Sequence, residues 1–239
     1  MNIFRRIYNS VRWRLGLPAA SELLQKGTDE SVTEFYNDRL TDCEFVTDPG
    51  HYEYPRFEWL ISQVKGGDML EIGCGNGGMT AFFYKQVTSI VAMDVSKISL
   101  EELEKKKLPN VKTVESLIEN YQPEINFDWI VMSEVIEHLR NPKEALLQVY
   151  KWLKPGGTFL ITTPHGFWES NEHLQEFSRD SFFDTIAVTN GEYITTGFLR
   201  DNKNRRRWLT GKVIKPATVP EPDDFFDMKA IRKKRLNKA

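Results

Sequence analysis

Cysteines are scarce in this sequence, and it has no long apolar run and no strong excess of one charge. Only Cys43 and Cys74 occur among 239 residues, which is too few for a disulfide framework or a cysteine-rich zinc site. No run of about 18 apolar residues is present, and arginines interrupt the amino-terminal stretch where a signal peptide needs an apolar core. These absences predict a protein of a reducing compartment, and we expect it in the cytoplasm.

Charge and length bound the partners and the number of domains. A formal net charge of −2 argues against a protein dominated by binding to nucleic-acid phosphates, although it leaves room for a local basic patch. A chain of 239 residues with 40% hydrophobic residues can bury one sizeable core but is short for two. We predict one domain over residues 69–215, a helical extension or cap over residues 1–68, and a basic, solvated or disordered tail over residues 216–239.

Short apolar runs alternate with helical patterns through the middle of the chain. They predict strands at residues 69–72, 89–93, 111–114, 127–132 and 158–162, and helices at 78–87, 99–107, 142–153 and 178–188, with two weaker strands before residue 215. Strands separated by helix-length segments pair in parallel through right-handed crossovers. The expected fold class is therefore α/β, a Rossmann-like open and mostly parallel sheet with helices on both faces and a ligand site at the carboxyl ends of its strands.

A glycine-rich turn directly follows the first predicted strand. Gly73, Gly75 and Gly78 satisfy the pattern G-x-G-x-x-G, in which glycines let the backbone approach a bound nucleotide closely. Asp94 ends the second strand about 20 residues later, where a carboxylate can accept hydrogen bonds from two ribose hydroxyls. The pattern alone leaves a dinucleotide-binding protein open, as well as a tight turn that needs glycine only for its conformation.

Glu71 helps to separate two kinds of ligand. A strand that leads into a dinucleotide site usually stays apolar up to its first glycine, but here a carboxylate occupies the strand end, which is costly unless something pairs with it. S-adenosylmethionine carries a sulfonium and an ammonium group, and it lacks the pyrophosphate that a helix N-terminus would bind. The acidic residue therefore favours the cationic ligand.

Four sequence blocks resemble the class I S-adenosylmethionine-dependent methyltransferases, particularly the broad families known as type 11 and type 23. The blocks are LEIGCGNGG, VAMDVS, FDWIVMSEVIEHLRNP and LKPGGTFLITTP, and they occur in this order between about Met69 and Pro164. The resemblance implies S-adenosylmethionine as cofactor. It also implies contacts with the methionine and ribose side from Glu71, Gly73 and Gly75, with the ribose from Asp94, with adenine from Val95, and with the methionine part from Ser133.

One position departs from this resemblance. Many relatives have Gly-Asp after the third strand to contact the adenine amino group, whereas this chain has Val114-Glu115-Ser116-Leu117. The expected carboxylate is missing. We expect the backbone groups of Ser116 and Leu117 to contact the adenine edge instead.

A cluster of acidic and imidazole side chains follows the fourth strand. If the segment Glu134-Val-Ile-Glu137-His138 is helical, its spacing places Glu134, Glu137 and His138 on one face at the mouth of the site. With His173 further along the chain, this set resembles the divalent-metal site of small-RNA 2′-O-methyltransferases and ubiquinone-pathway O-methyltransferases. The alternatives are a general base at His138 without a metal, and charges that cap a helix or face solvent.

Two other regions are candidates for contacts with an acceptor or a membrane. His165, Phe167 and Trp168 follow the fifth strand, where they either contact an acceptor or pack on the core. Residues 1–17 combine an apolar stripe with four arginines, a composition that suits either a peripheral membrane helix or a helix lying against its own domain.

The function expected from these features is methyl transfer to an oxygen of a small-molecule or a lipid- or glycan-linked acceptor. Oxygen is favoured because the cluster at 134–138 can handle a hydroxyl proton. N-methylation stays open, and so does RNA methylation, which has only Arg205, Arg206, Arg207 and the basic tail in its favour. Outside this class the alternatives are an NAD(P)-dependent oxidoreductase, which Glu71 and the block order disfavour, and a non-catalytic binding protein. The sequence does not indicate an oligomeric state.

Overall fold

The computed structural model describes residues 20–37, 47–168, 170 and 172–218. The apolar stripe at residues 1–17, Cys43 and the tail beyond residue 218 lie outside the described residues. No helix in the described part of the chain is long and apolar enough to cross a membrane.

Seven strands form a single sheet in the order β3-β2-β1-β4-β5-β7-β6. Their bounds are β1 Asp68–Ile72, β2 Ser89–Asp94, β3 Val111–Glu115, β4 Phe127–Ser133, β5 Leu153–Pro164, β6 Tyr193–Arg200 and β7 Arg206–Ile214. Strands β1 to β5 pair in parallel, whereas β7 runs antiparallel to both β5 and β6. The predicted α/β class with a mostly parallel sheet is confirmed, and the first strand lies in the middle, where the chain order switches direction.

Helices cover both faces of this sheet. They are α1 Ala20–Lys26, α2 Asp29–Asn37, α3 Tyr54–Gln63, α4 Thr80–Phe83, α5 Lys97–Lys105, α6 Pro142–Lys151 and α7 Arg179–Ile186. Successive residues of a strand point to opposite faces, and in β1 Met69 packs in one buried cluster while Leu70 packs in the other. Burial on both faces explains why the parallel strands appear in the sequence as continuous apolar runs.

Two predicted elements differ from the observed ones by more than two residues at one end. Helix α4 covers only part of residues 78–87, because the Asn110 amide donates hydrogen bonds to the carbonyls of Tyr84, Val87 and Thr88 and holds that segment as a turn. Strand β5 is longer than 158–162, because β7 pairs with it as far as Pro164.

The segment 134–138, whose common face depended on its being helical, is not a continuous helix. Glu134 has a left-handed φ of +57°, and its N–H donates to the Thr162 carbonyl at 3.0 Å, which prolongs the β4–β5 pairing by one residue. Only Ile136–His138 forms a single 3₁₀ turn. The assumption of one helical face for Glu134, Glu137 and His138 therefore fails.

Helices α1 and α2 lie across the carboxyl ends of the strands as a cap. Their buried Leu24, Val32 and Phe35 pack with Leu117 and Leu174 from two loops at that edge. The Arg140 guanidinium donates to the Leu24 carbonyl and, at 2.7 Å, to the Gly27 carbonyl. The cap is thus tied by an apolar cluster and by a cation that satisfies carbonyls at the end of α1.

Candidate active site

A cavity of about 350 Å³ opens between the cap and the carboxyl ends of β1, β2 and β4. Five of the eight predicted cofactor residues are on its wall, namely Gly73, Asp94, Val95, Ser116 and Leu117. The cap contributes Leu24, Asp29, Val32 and Tyr36, and the segment after β4 contributes Glu134, Val135 and His138. A pocket of this size at a switch point of a parallel sheet is the usual place for a small ligand in such folds.

The glycine turn keeps its backbone close to the cavity. Gly73 and Gly75 have φ values of +72° and +53°, a conformation that costs a residue with a Cβ atom about 1–2 kcal/mol. A Cβ on Gly73 would also overlap the Val135 side chain across the cavity floor. Gly73 is therefore required by the turn itself and by its contact with Val135, and Gly75 is buried beneath the wall.

Asp94 joins the glycine turn to the end of β2. Its carboxylate accepts the N–H of Gly75 at 2.8 Å and the N–H of Ser96 at 2.9 Å. Burial raises the pKa of Asp94, and these backbone donors oppose that rise. The Ser116 N–H, in the loop after β3, donates to the Asp94 carbonyl at 3.0 Å. This hydrogen bond holds that loop beside the end of β2.

Glu71 lies under the glycine turn and is only 1% exposed. One carboxyl oxygen accepts the Thr80 hydroxyl at 2.6 Å, while Oε1 has no hydrogen-bond partner among the described residues. Burial raises the pKa of Glu71 to about 8, and the nearby Asp94 adds to the rise. An acidic group with one unsatisfied buried oxygen is a position where a cation or a donor would be stabilised.

Ser133 is turned away from the cavity by a residue that the sequence analysis did not single out. Its hydroxyl accepts the Arg56 guanidinium at 2.5 Å and lies 2.8 Å from the Thr162 hydroxyl. Arg56 is 5% exposed and also donates to Glu53 at 2.6 Å. The Glu53–Arg56 pair comes from α3 and the residue before it, 77 positions from Ser133, and no motif marks it.

Glu134 reaches into this buried group from the cavity wall. Its Oε1 accepts the Thr162 hydroxyl at 3.0 Å and lies 4.0 Å from Arg56 Nε. The Trp208 indole also hydrogen-bonds to it. Burial is the main cause that raises the pKa of Glu134, and Arg56 opposes it. The carboxyl group is thus held by three elements while its side chain stays 23% exposed.

Three of the four candidate metal ligands come together. Glu137, His138 and His173 each offer an atom within 4.8 Å of the others, and the two imidazole rings lie 5.0 Å apart. Glu134 is not in this group, because its left-handed backbone directs the side chain toward Thr162. Burial raises the pKa of Glu137, one of its oxygens accepts the Thr163 hydroxyl at 3.0 Å, and His138 Nδ1 lies 3.0 Å from the Glu172 carbonyl.

Aromatic side chains collect beside Glu134. Tyr52 stacks on buried Trp208 with ring centroids 6.0 Å apart, and Trp168 lies 6.3 Å from Trp208. Burial and the neighbouring Glu53 raise the pKa of Tyr52 to about 12. His165 packs edge-on against Phe198 at 4.9 Å, and Phe167 is 74% exposed, so its ring packs on no core.

Comparison with known proteins identifies relatives of one kind. A family model described as "Methyltransferase domain" matches residues 53–200. A malonyl-[acyl-carrier protein] O-methyltransferase of Halalkalibacterium halodurans is 36% identical over 117 residues, covering 45% of this chain and 43% of the relative. An (S)-coclaurine N-methyltransferase of Papaver somniferum is 33% identical over 107 residues, covering 42% and 30%. The chain thus spans less than half the length of these curated relatives.

Solved structures share the architecture. The N-methyltransferase NodS of Bradyrhizobium japonicum in complex with S-adenosyl-L-homocysteine superposes with a TM-score of 0.62 at 19% identity, over 77% of this chain and 98% of its own. A Burkholderia thailandensis 1,6-didemethyltoxoflavin N1-methyltransferase gives a TM-score of 0.64 at 16% identity, over 77% and 87%. Likeness at this level of identity shows the fold.

Proposed function

The chain belongs to the class I S-adenosylmethionine-dependent methyltransferases, and we propose that it methylates an oxygen of a small-molecule or a lipid- or glycan-linked acceptor. The observation that carries the proposal is that Gly73, Asp94 and Glu134 all line the same cavity. Its wall combines the features expected for an adenosine-containing cofactor with a carboxyl group that can take a proton.

The residues around the cavity suit S-adenosylmethionine. Asp94 keeps a carboxylate at the end of β2, where ribose hydroxyls can donate to it, and Ser116 and Leu117 line the wall where an adenine edge would lie. The carboxyl group of Glu134 on the cavity wall favours positive charge nearby once it is ionised, and the unpartnered Oε1 of Glu71 beneath the glycine turn can accept a hydrogen bond. The cofactor supplies a methyl group on a sulfonium, and the protein supplies alignment and a dry pocket.

We assign the role of proton acceptor to Glu134 rather than to His138. Both lie on the cavity wall, but His138 has Nδ1 next to the Glu172 carbonyl and Nε2 3.9 Å from Glu137. Glu134 is held by Thr162 and Trp208, and its raised pKa makes it a stronger base than an exposed carboxylate once it is ionised. An acceptor hydroxyl would therefore lose its proton to Glu134 while its oxygen bonds to the methyl carbon, and the bond between that carbon and the sulfonium sulfur would break to leave S-adenosylhomocysteine.

A divalent cation at Glu137, His138 and His173 is the second form of this proposal. The donor set of one carboxylate and two imidazoles within 4.8 Å favours it. It would direct the acceptor oxygen and lower the pKa of the acceptor hydroxyl. Chelator treatment distinguishes the two forms. Methyl transfer at the full rate after chelation would mean that no divalent cation takes part and that Glu134 accepts the proton by itself.

The cofactor assignment is tested by calorimetry with S-adenosylmethionine, S-adenosylhomocysteine and NAD. We expect affinity in the micromolar range for the first two and no heat with NAD. Binding of NAD alone would support the oxidoreductase alternative. Absence of binding for all three would leave a protein that keeps the fold without this cofactor.

The acceptor assignment is tested by label transfer from methyl-labelled S-adenosylmethionine to fractionated lipid and polar extracts, with mass spectrometry of the labelled product. We expect an O-methyl product and a rate that rises with pH as Glu134 loses its proton. Glu134→Gln should lower the rate by about 100-fold or more and remove that rise. The matched control is Glu119→Gln, a carboxyl group on the cofactor side of the cavity. An N-methyl product, or an unchanged rate in Glu134→Gln, contradicts the assignment.

A further inference from the structure

The turn between β6 and β7 lies at the same edge of the sheet as the cavity. Strand β7 is antiparallel to β5, so its first residues pair with the last residues of β5, with Trp208 opposite Pro164. The His165 N–H donates to the Arg207 carbonyl at 2.8 Å and joins the turn to the loop after β5. That loop also supplies Glu172 to the cavity wall.

This turn carries a concentration of positive charge that the proposed function does not use. We call it the arginine rim, and it consists of Arg200, Lys203, Arg205, Arg206 and Arg207. The acidic residue within 200–207 is Asp201, and its side chain is fully buried. It accepts the N–H groups of Lys203 and Arg205 at 2.9 Å and pairs with the Arg205 guanidinium at 2.7 Å.

Burial of Asp201 has two consequences for the arginine rim. The carboxylate holds the turn in one conformation through backbone and side-chain contacts, and it removes the acidic group from the surface. The side chains of Arg200, Lys203 and Arg206 remain exposed. The arginine rim therefore presents a cluster of cations to solvent at the edge of the sheet where the cavity opens.

An exposed aromatic ring stands beside the arginine rim. Phe167 is 74% exposed, the largest exposure among the large hydrophobic side chains in the described part of the chain. Its neighbour Trp168 has the Arg207 guanidinium 4.1 Å above its ring, and Arg206 lies 4.7 Å from the Phe198 ring centre. An exposed phenyl ring whose chain neighbour carries an arginine combines an apolar anchor with charge in one region of the surface.

The occupied ring faces distinguish between two anionic partners. A single-stranded nucleic acid is held by successive bases that stack on several open aromatic faces, but arginines cover faces of Trp168 and Phe198, so that of these three rings Phe167 is the one left open. An anionic lipid surface needs cations near the headgroups and an aromatic side chain that can enter the interface. The arginine rim with Phe167 supplies both.

We propose that the arginine rim and Phe167 dock the protein onto a bilayer that contains anionic lipids. Docking at this edge turns the loop after β5, and with it the cavity mouth, toward the membrane, so that a lipid-borne acceptor would be reached from the bilayer. The binding step itself requires no cofactor and no methyl transfer, and its failure leaves the proposed function untouched.

The test is co-sedimentation of the full chain with vesicles of phosphatidylcholine alone or with about 30% phosphatidylglycerol. The variants are Lys203→Glu/Arg206→Glu, which reverses two exposed rim charges, and Phe167→Ser. The matched control is Lys112→Glu/Lys151→Glu, which makes the same change in net charge with exposed lysines toward the opposite edge of the sheet. Circular dichroism checks that every variant is folded.

We expect binding to the anionic vesicles only, and its loss at high salt. The rim variant should weaken binding by roughly 10-fold or more, Phe167→Ser by roughly fivefold, and the control by less than twofold. Equal loss in the rim and control variants would mean non-specific charge attraction and would overturn the proposal. Binding that survives the rim variant, absence of binding by the unmodified chain, or rim-dependent binding to single-stranded RNA without vesicle binding would overturn it as well.

Discussion

The two sides of the cavity are built in different ways. On the side of β1, β2 and β3, backbone groups make most of the contacts that shape the wall, and two backbone N–H groups hold the Asp94 carboxylate. On the side of β4 and β5, side chains form the wall and the buried Arg56 supports it from behind, between Glu53 and Glu134. The first arrangement needs a contiguous loop of particular conformation, whereas the second needs charges from distant parts of the chain to meet.

Because of this difference, we expect mutations on one side to change ligand affinity and mutations on the other side to change the stability of the fold. Loss of a backbone-bound group on the first side should reduce ligand affinity more than stability. Loss of a buried charge on the second side should reduce stability first, because its partners stay buried without compensation.

Arg56→Met is expected to have the largest effect. It leaves Glu53 and Glu134 without their cation in a buried position, and breaking a buried pair typically costs about 3–5 kcal/mol of unfolding free energy. Urea unfolding measures the loss. The triple variant Arg56→Met/Glu53→Gln/Glu134→Gln removes the stranded charges as well and should recover most of the stability. A loss below about 1 kcal/mol for Arg56→Met would show that the group is solvated and that the contrast between the two sides is false.

Asp94→Ala tests the opposite side. The ribose hydroxyls would lose a charge-assisted partner worth about 1.5–3 kcal/mol, which corresponds to an affinity roughly 10- to 100-fold lower. Calorimetry with S-adenosylhomocysteine measures the affinity, and urea unfolding of the same variant measures the stability. We expect the affinity to fall by more than the stability. Unchanged affinity in the folded variant would remove the ribose contact from the proposed binding mode.

Glu71→Gln tests the buried carboxyl group beneath the glycine turn through pH. The folded pKa of about 8 lies above that of an unfolded glutamate, so the folded state holds the extra proton between about pH 4.5 and 8. The stability contribution of protonated Glu71 is therefore lost as pH rises through that range. Glutamine keeps the acceptor for Thr80 and cannot ionise.

The expected result is a variant that gains stability relative to the unmodified chain, by about 3–4 kcal/mol between pH 5 and pH 9, because the folded carboxyl group keeps its proton over about three more pH units than the unfolded one. Urea unfolding at the two pH values measures it. Parallel curves of unfolding free energy against pH for the two proteins would mean that Glu71 is ionised in the fold. Both sides of the cavity would then contain a buried charge.

Features carried by adjacent residues could be predicted from the sequence. The strands β1 to β4 fall within one residue of the expected bounds, because strands buried on both faces are continuous apolar runs. The cavity wall contains Gly73, Asp94 and Val95 as expected, since each sits at the end of such a strand. The fold follows from the alternation of these runs with helices.

Features that depend on tertiary contact could not be predicted in this way. Ser133 was expected to face the ligand, but a cation 77 positions away binds its hydroxyl. Glu134 would share a face with Glu137 and His138 only in a helix, but continuation of the β4–β5 ladder holds it in a left-handed conformation. The only advance signal for Arg56 and Tyr52 is the aromatic and charged stretch HYEYPR, which has no spacing tied to any chemistry. The β4–β5 side of the cavity is thus specified by packing rather than by a motif.

Arg140→Met addresses the cap, which borders both sides of the cavity, and the smallest effect is expected here. The guanidinium satisfies the carbonyls of Leu24 and Gly27, while Leu24, Val32 and Phe35 keep the apolar contacts of the cap. Loss of two part-buried hydrogen bonds should cost the closed cap about 1 kcal/mol, a factor of about five in its opening equilibrium.

A bound ligand leaves through the opened cap, so the dissociation rate of S-adenosylhomocysteine should rise about fivefold while its association rate changes little. Stopped-flow displacement measures both rates, and Lys143→Met, an exposed cation at the start of α6, is the control. An unchanged dissociation rate would mean that the apolar cluster alone holds the cap closed. The contact between Arg140, in the segment after β4, and the carbonyls of α1 would then contribute nothing to closure.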